Sequence, residues 1–326
     1  NEEDNSIKSK IQILESSSEF GYQGGNSFRN KPKPKEFKDG VVYFGYDYFT
    51  DAPATYAMLS NIPVQNDYLV GPGDNFKIII YGTKNNQFTL EVTKDGDISI
   101  PEVGPLNLSG LTYEDSIKAI QAAVKSKMIG SEATVSLGAL RSINVFVLGE
   151  AFQPGMYTVS SLSTLTNAIF ASGGIRTTGS LRNIQLKRNG QIISTFDFYD
   201  LLLKGDTSAD ERLRPGDVVF IPPITKTVGI AGEVRRPAIY ELNQGETLDD
   251  LIEYAGNFGP KADRSSVSLE RINYQNGGYQ LIPLELKEAG NSFEIEDGDF
   301  LKIYSITDSM NEAILVSGHA EKPGLY

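Results

Sequence analysis

The chain has 326 residues, with 42 acidic and 30 basic side chains, and its formal net charge is −12. This acidic balance excludes binding of nucleic acid through a basic surface, because such binding needs Lys and Arg to neutralise phosphates. There is no Cys, which excludes disulfides and thiolate metal sites. The single His, His319, argues against a zinc site or a His-based catalytic dyad, and we expect it to be a turn residue. We therefore expect no metal and no cofactor.

The N-terminal segment is polar at first and then aromatic. Residues 31–35 read Lys-Pro-Lys-Pro-Lys, which suits an extended linker better than a helix or a central strand. From Val41 onward aromatic side chains accumulate, and we expect this part, called the strap below, to pack on a folded domain. Its aromatic residues are Tyr43, Phe44, Tyr46, Tyr48, Phe49 and Tyr56.

The first regular region starts at residue 68. Residues 71–74, Gly-Pro-Gly-Asp, form a turn signal, because Pro presets φ and Gly accepts positive φ. The alternation of apolar residues over 76–80 predicts a half-buried strand. Asp95-Gly96 lies between apolar runs and predicts a hairpin turn. Residues 112–115, Thr-Tyr-Glu-Asp, predict the capped start of a helix.

From about residue 143 the chain repeats itself. Residues 145–150 (Val-Phe-Val-Leu-Gly-Glu) correspond to residues 228–233 (Val-Gly-Ile-Ala-Gly-Glu), and residues 314–318 begin a third copy. The pattern in each unit predicts two strands joined by a Gly turn. A short helix, a polar hairpin and a Gly-Asp turn before a final strand are predicted to follow. Such an order favours an α+β layer with one helix on one face of a small mixed sheet.

The glycines and aspartates of these turns are predicted to stabilise the turns and to have no catalytic or ligand-binding role. Residues 71–74 lack the Gly-Lys-Ser/Thr ending of a phosphate-binding loop. The acidic run 293–299 fails the alternating pattern of a calcium loop. The residues assigned to structural turns are Gly71, Gly73, Asp74, Gly149, Gly216, Asp217, Gly232, Gly298 and Asp299.

These motifs resemble a known family. Residues 68–74, 95–104 and 110–112 are similar to the polysaccharide export domain of Wza-type outer-membrane proteins, and the repeats are similar to the SLBB (soluble-ligand-binding β-grasp) domains that follow it. The resemblance implies a multidomain α+β protein in which an export α/β sandwich precedes tandem β-grasp domains. The predicted segments are 1–67 (linker and strap), 68–142 (export domain), 143–224 and 225–307 (first and second β-grasp domains) and 308–326 (start of a truncated third repeat).

The resemblance also implies a function. Such a protein is the periplasmic part of a capsule or exopolysaccharide export channel at the outer membrane of a Gram-negative bacterium. It forms a homo-oligomeric ring, an octamer in the best-known case, and works with inner-membrane polysaccharide co-polymerase and export machinery without being an enzyme. Because Asn1 replaces an initiator Met and the third repeat stops after one hairpin, we expect a chain trimmed at both ends.

Four residues are candidates for roles in such a ring. By resemblance, Glu102 and Val103 lie in a loop near the narrow periplasmic end, where a ring of Glu102 carboxylates would disfavour an anionic polymer at rest. The alternative is an exposed loop glutamate with no role. Arg235 and Arg236, in a turn of the second repeat, are candidates for the seam between subunits, with solvated turn charges as the alternative.

Two other functions stay open at this stage. A monomeric periplasmic module that binds carbohydrate or a small ligand would need a concave pocket lined by aromatic side chains within one repeat. An enzyme that modifies polysaccharide would need two carboxylates roughly 5–10 Å apart in a cleft.

Overall fold

The computed structural model describes residues 38–50, 64–83, 85–275, 277–284 and 293–306, with 315–316, 319, 321 and 324–325. These residues all lie in one compact unit, Pro34–Tyr326. The linker residues 31–35 and Tyr56 lie outside the described residues. Within the described ranges, no helix is long and apolar enough to cross a membrane.

The export region combines a three-stranded sheet, a separate hairpin and a helix. The antiparallel sheet has the order β2-β1-β5, and strands β3 and β4 pair with each other. Alternate residues of β1 are buried, as the sequence pattern predicts, and they pack with the apolar face of helix α1. The elements are β1 Asn75–Gly82, β2 Asn86–Glu91, β3 Asp97–Ile100, β4 Gly104–Asn107, α1 Tyr113–Lys127 and β5 Ser131–Leu137.

The prediction that a helix starts at residue 112 is confirmed. The prediction that Asp95-Gly96 forms a hairpin turn is wrong. The Asp115 N–H donates to the Thr112 hydroxyl at 3.1 Å, which caps α1. The Asp95-Gly96 turn connects β2 to β3, and these strands belong to different sheets. Here the chain crosses from one sheet to the other, because β2 already pairs with β1 and β3 pairs with β4.

The first β-grasp unit is a five-stranded sheet with one short α-helix and a π-helical turn at Asp200–Lys204. Its strand order is β7-β6-β10-β8-β9, in which β10 runs parallel to β6 and the other neighbours are antiparallel. Among the described residues, β7 and β9 are the edge strands. The elements are β6 Ser142–Gly149, β7 Gly155–Ser160, α2 Leu165–Ala171, β8 Ile184–Arg188, β9 Gln191–Phe196 and β10 Val218–Ile221.

The second unit repeats this topology, with the strand order β12-β11-β15-β13-β14 and β15 parallel to β11. The predicted succession of elements in each repeat is therefore confirmed. Of the third repeat, the structure describes a two-stranded pairing of β16 with β17, and His319 is exposed. The elements are β11 Thr227–Gly232, β12 Ala238–Glu241, α3 Leu248–Tyr254, β13 Ala262–Asn273, β14 Gly278–Leu284, β15 Phe300–Ser305, β16 Leu315–Val316 and β17 Gly324–Leu325.

The repeated glycines at the ends of β6 and β11 follow from a close approach of two backbones. Gly149 has φ +80, and a Cβ there would lie 2.1 Å from the carbonyl oxygen of Ile221. Gly232 has φ +87, and a Cβ there would lie 1.9 Å from the carbonyl oxygen of Ile303. Only glycine fits both the left-handed conformation and the missing space. The motif that reveals the repeat thus marks a steric requirement at the end of each parallel strand pair.

The described part of the strap lies across both β-grasp units, as the sequence predicts for a packed segment. Phe44 stacks on Tyr240 of the second unit, with ring centroids 4.9 Å apart, and contacts Tyr199 of the first unit edge-on at 5.2 Å. The Tyr46 hydroxyl donates to the Gly179 carbonyl at 2.5 Å. The strap therefore joins the cores of the two repeats.

Candidate functional site

The predicted pore residues lie at the tip of the β3–β4 hairpin. Glu102 is exposed and adopts a left-handed backbone conformation with φ 67, which a residue with a Cβ rarely takes. Val103 is half-buried against the export core, and its N–H donates to the Ile100 carbonyl at 3.1 Å. Buried Ile98 and Ile100 anchor the hairpin in that core. Glu102 is thus presented to solvent on a supported turn, whereas Val103 serves mainly to pack it.

The turn at residues 71–74 contains a buried carboxylate, Asp74, both of whose oxygens accept hydrogen bonds. Asp74 accepts hydrogen bonds from the Gly71 N–H at 3.0 Å and from the Arg141 N–H at 3.0 Å. It also forms an ion pair with the Arg141 guanidinium at 2.7 Å. The Tyr68 hydroxyl contacts both this carboxylate and the Ser161 hydroxyl at 2.8 Å. Burial raises the pKa of Tyr68, so this phenol stays protonated while it links the export region to the first repeat.

The Gly-Asp turns of the two repeats have the same construction. Asp217 is fully buried and accepts from the Arg188 Nε at 2.8 Å, the Arg188 Nη2 at 2.7 Å and the Arg214 N–H at 2.7 Å. Asp299 accepts from the Arg271 Nε at 2.9 Å and the Arg271 Nη2 at 2.7 Å. Each is a two-point arginine–carboxylate pair, the strongest geometry for such a contact. We call these two pairs, together with the Asp74–Arg141 pair, whose guanidinium makes one contact, the arginine clamps.

Sequence reasoning assigned the turns to structure but missed the arginines that clamp them. Arg188 and Arg271 lie 83 residues apart (271 − 188), the same offset as Gly149 and Gly232. That offset was the available signal, because a charged residue repeated at the spacing of the core glycines indicates a repeated partner. The clamps give no sign of reactivity: each carboxylate is buried, paired and supported by backbone donors.

A second polar cluster joins the two repeats, and no pattern in the sequence predicts it. Arg182 of the first repeat is only 6% exposed. Its guanidinium bonds to Asp197 of the same repeat at 3.0 Å and to Glu246 of the second repeat at 2.5 Å. It also lies over the rings of Tyr199 and Tyr254, at 4.6 Å and 5.1 Å from their centroids. One buried cation therefore connects both repeats through ionic and cation–π contacts. We call this cluster the repeat junction.

Glu241 lies beside this junction in an environment that disfavours its charge. One carboxylate oxygen accepts from the Leu181 N–H at 2.9 Å, whereas the other is buried with no hydrogen-bond partner. Burial raises the pKa of Glu241, and burial likewise raises that of Asp197 against the opposing effect of Arg182. The charged form of both carboxyls thus costs free energy, and this cost falls as the pH is lowered.

The predicted seam residues are exposed. The N–H groups of Arg235 and Arg236 donate to the carbonyls of Asn257 and Ala255, which fixes the turn after β11. The Arg236 guanidinium lies 5.9 Å from the centroid of the Phe44 ring and so contacts the strap. A role for these arginines at a subunit seam stays a prediction, as does a role of Glu102 and Val103 in a pore.

A cleft of about 500 Å³ lies between the export turn and the first repeat. Its walls are largely apolar, and no carboxylate is among the described residues that line it. Elsewhere in the described ranges, no three His, Cys, Asp or Glu side chains are placed to hold a metal ion. The lining residues are Pro72, Arg141, Ser142, Ile143, Asn144, Phe146, Met156, Pro215 and Gly216.

Comparison with family models agrees with the domain order. Residues 62–138 match a family described as polysaccharide biosynthesis/export protein, and residues 144–221 and 227–282 each match an SLBB domain. The predicted fold class is therefore confirmed: an export domain precedes two SLBB domains in an α+β chain. The domain bounds themselves stay predictions.

Three relatives are export proteins by name. The polysialic acid transport protein KpsD of Escherichia coli is 25% identical over 225 residues, which are 68% of this chain and 40% of that protein. The EPS I polysaccharide export outer membrane protein EpsA of Ralstonia solanacearum is 31% identical over 175 residues, 52% of this chain and 46% of that protein. The capsule polysaccharide export protein BexD of Haemophilus influenzae is 29% identical over 168 residues, 51% and 41% respectively.

The chain spans less than half the length of each of these three relatives. The family models match the export domain and the β-grasp repeats that the motifs indicate. The resemblance to polysaccharide export proteins is therefore confirmed.

Proposed function

We propose that this chain is the periplasmic part of a capsule or exopolysaccharide export channel at the outer membrane of a Gram-negative bacterium. The observation that carries the proposal is the order of domains, an export domain and then two SLBB domains, shared with relatives named for polysaccharide transport. In this function the chain guides the polymer and catalyses no reaction. Its partners are the polymer, further copies of itself and inner-membrane export machinery.

The geometry supports a scaffold. The Arg182–Glu246 ion pair of the repeat junction and the hydrogen bond between Tyr68 and Ser161 join successive domains, which favours one fixed arrangement of domains. Each arginine clamp fixes a Gly-Asp turn within one domain. A fixed arrangement of domains is what a ring of identical subunits needs, because each subunit must present the same surfaces to its neighbours.

The two other functions have less support. A ligand-binding module calls for an aromatic pocket within one repeat, whereas the cleft described above lies between the export turn and the first repeat and has one aromatic residue, Phe146, in its lining. A polysaccharide-modifying enzyme calls for paired carboxylates in a cleft, and the described lining supplies none.

Deletion of the gene from its native strain tests the proposal. We expect extracellular polymer to be lost and to return when the full-length protein is supplied. Electron microscopy of the mature protein, extracted from its envelope in detergent, should show closed rings with a central lumen. Unchanged polymer secretion in the deletion strain would refute the export function, and isolated monomers at micromolar concentration would refute the ring.

Glu102 provides a finer test of the pore. If its carboxylates surround the lumen, Glu102→Gln lowers the preference of the reconstituted channel for cations over anions, because a ring of negative charge is removed. Glu91→Gln is the matched control, since Glu91 is also exposed and lies in the same domain. Equal selectivity in all three proteins would show that Glu102 is an exposed turn residue outside the lumen.

The seam candidates are tested in the same preparation. Replacing both Arg235 and Arg236 with Ala should lower the salt concentration at which rings dissociate, if the pair meets acidic groups of a neighbour. If the rings dissociate at an unchanged salt concentration, the arginines have no role at the seam and serve only in the turn and in the contact with the strap.

A further inference from the structure

The two β-grasp sheets differ at one edge, although their topology is the same. In the second repeat, the outer edge of β12 is covered by the strap of the same chain. The Phe44 N–H donates to the Ile239 carbonyl at 2.9 Å, and the Ile239 N–H donates to the Val42 carbonyl at 2.9 Å. Val41 packs on Ile239 and Ala231, and Ile239 is only 8% exposed. The edge of this sheet is thus closed by an extended segment.

The equivalent edge of the first repeat is open in the described structure. Met156 lies 83 residues before Ile239 (239 − 156), and its pairing with Phe146 matches the pairing of Ile239 with Gly229. The N–H and C=O of Met156 therefore point away from the sheet, as those of Ile239 do toward the strap. Met156 is 61% exposed, and no described segment pairs with the outer edge of β7.

The other edge of the same sheet is also open and apolar. In β9, Ile192 is 56% and Ile193 is 46% exposed. The strands β7 and β9 have six residues each, and neither contains a charged residue or a proline. Soluble proteins commonly guard such edges with charge, proline or a covering segment. The corresponding edge strand of the second repeat, β14, contains Pro283.

The directions of the two edges are complementary. Strand β7 is antiparallel to β6, whereas β9 runs in the same direction as β6, because β10 is parallel to β6 and two antiparallel pairings connect β10 to β9 through β8. A second copy rotated about an axis along the strands would thus place its β9 antiparallel to β7 of the first copy. This contact joins two different surfaces, and such head-to-tail contacts form a ring when the rotation between copies closes.

We propose that the partner of this open edge is a second copy of the chain, with β7 of one copy pairing with β9 of the next. Met156, Phe146 and Leu148, which are exposed on or beside β7, form the apolar surface that Ile192 or Ile193 of the neighbour covers. The cleft beside Met156 and Phe146 widens this surface toward the export turn. The inference rests on the proposed function only in that a ring is the assembly it builds.

Cysteine cross-linking tests the contact, because none of the 326 residues is Cys. Met156→Cys is combined with Ile192→Cys in one variant and with Ile193→Cys in another, since successive strand residues face opposite sides and one of the two shares the side of Met156. The full-length variants are oxidised in their native envelope with copper phenanthroline and separated in denaturing gels. The matched control combines Met156→Cys with Leu281→Cys on β14, where Leu281 is also 61% exposed.

We expect a ladder of covalent oligomers from at least one of the two test variants and monomer from the control and from Met156→Cys alone. Monomer from both test variants, in a protein that forms rings by electron microscopy, would overturn the contact and leave the export function standing. A covalent dimer from Met156→Cys alone would overturn the head-to-tail arrangement in favour of a two-fold contact. A ladder in a strain whose deletion leaves secretion unchanged would refute the export function and leave the contact standing.

Discussion

Removal of the Arg182 guanidinium should weaken the contact between the two β-grasp repeats and lower the free energy of unfolding. The side chain is buried, bonds to Asp197 in its own repeat and to Glu246 in the next, and lies over the rings of Tyr199 and Tyr254. Arg182→Met keeps most of the volume of the side chain and removes its charge. The two carboxylates then stay in the interior without their common cation.

The expected loss follows from these contacts. Removing one partner of a buried ion pair costs about 3–5 kcal/mol of unfolding free energy. The lower end applies here, because Asp197 still accepts from the Tyr199 N–H and Glu246 still accepts from the Tyr254 hydroxyl. For the compact unit Pro34–Tyr326, 3 kcal/mol corresponds to a fall in Tm of about 5 °C.

Equilibrium unfolding in urea, followed by circular dichroism and by tyrosine fluorescence, measures this loss; the chain has 16 Tyr and no Trp. Arg264→Met is the control, because Arg264 is exposed and its guanidinium lies over the Phe258 ring at 4.9 Å. We expect the control to lose about 1 kcal/mol or less. Equal losses in the two variants would show that the repeat junction is not a stabilising contact and would refute the reasoning.

The pH dependence of the same variant has a definite sign. Burial raises the pKa of Asp197 in the folded protein, and Arg182 opposes that rise. Without Arg182 the folded pKa rises further above the unfolded value, so the charged carboxyl costs more stability at neutral pH. This cost is relieved as the pH falls through the folded pKa. The difference between wild type and Arg182→Met should therefore shrink as the pH is lowered from 7 to about 5.

Three further predictions concern other parts of the fold. Asp217→Asn should cost about 2–4 kcal/mol of unfolding free energy, measured in urea, because it leaves the Arg188 guanidinium without its carboxylate. Gly149→Ala should cost about 3 kcal/mol or more, whereas Gly216→Ala, with open space and φ +82, should cost only about 1 kcal/mol in the same measurement. Phe44→Ala should cost about 1–3 kcal/mol and speed proteolysis of the strap, which limited digestion and mass spectrometry would detect.

The order of elements was predictable because it depends on local chemistry that the repeat displays more than once. The steric demand at Gly149 recurs at Gly232, so the turn at the end of the parallel pair is visible as a periodic glycine. The Asp95-Gly96 turn shows the limit of such local reasoning. Its residues specify a reversal of the chain, but which strands then pair is decided by packing against β1 and β4.

The contacts between domains were not predictable from pattern. Arg182 and Glu246 lie 64 residues apart in the sequence, and nothing in their neighbourhoods distinguishes them from surface charges. Their burial results from the docking of two domains that each satisfy their own periodicity. The same holds for Phe44, whose place in the strap predicts packing but not the two repeats on which it packs.

The two repeats share the residues on which their common fold depends, and they differ at one edge strand. The glycine at the end of β6 and β11, the arginine clamp and the capped helix occur in both units. At the edge strand, by contrast, Met156 is open to solvent and Ile239 is covered by the strap. An edge that the strap covers cannot accept a second strand, so among the described residues this edge is available for β-pairing in the first repeat and not in the second. In the proposed assembly, the shared elements give both repeats the same fold, and the open edge of β7 gives the chain a directed surface for its neighbour.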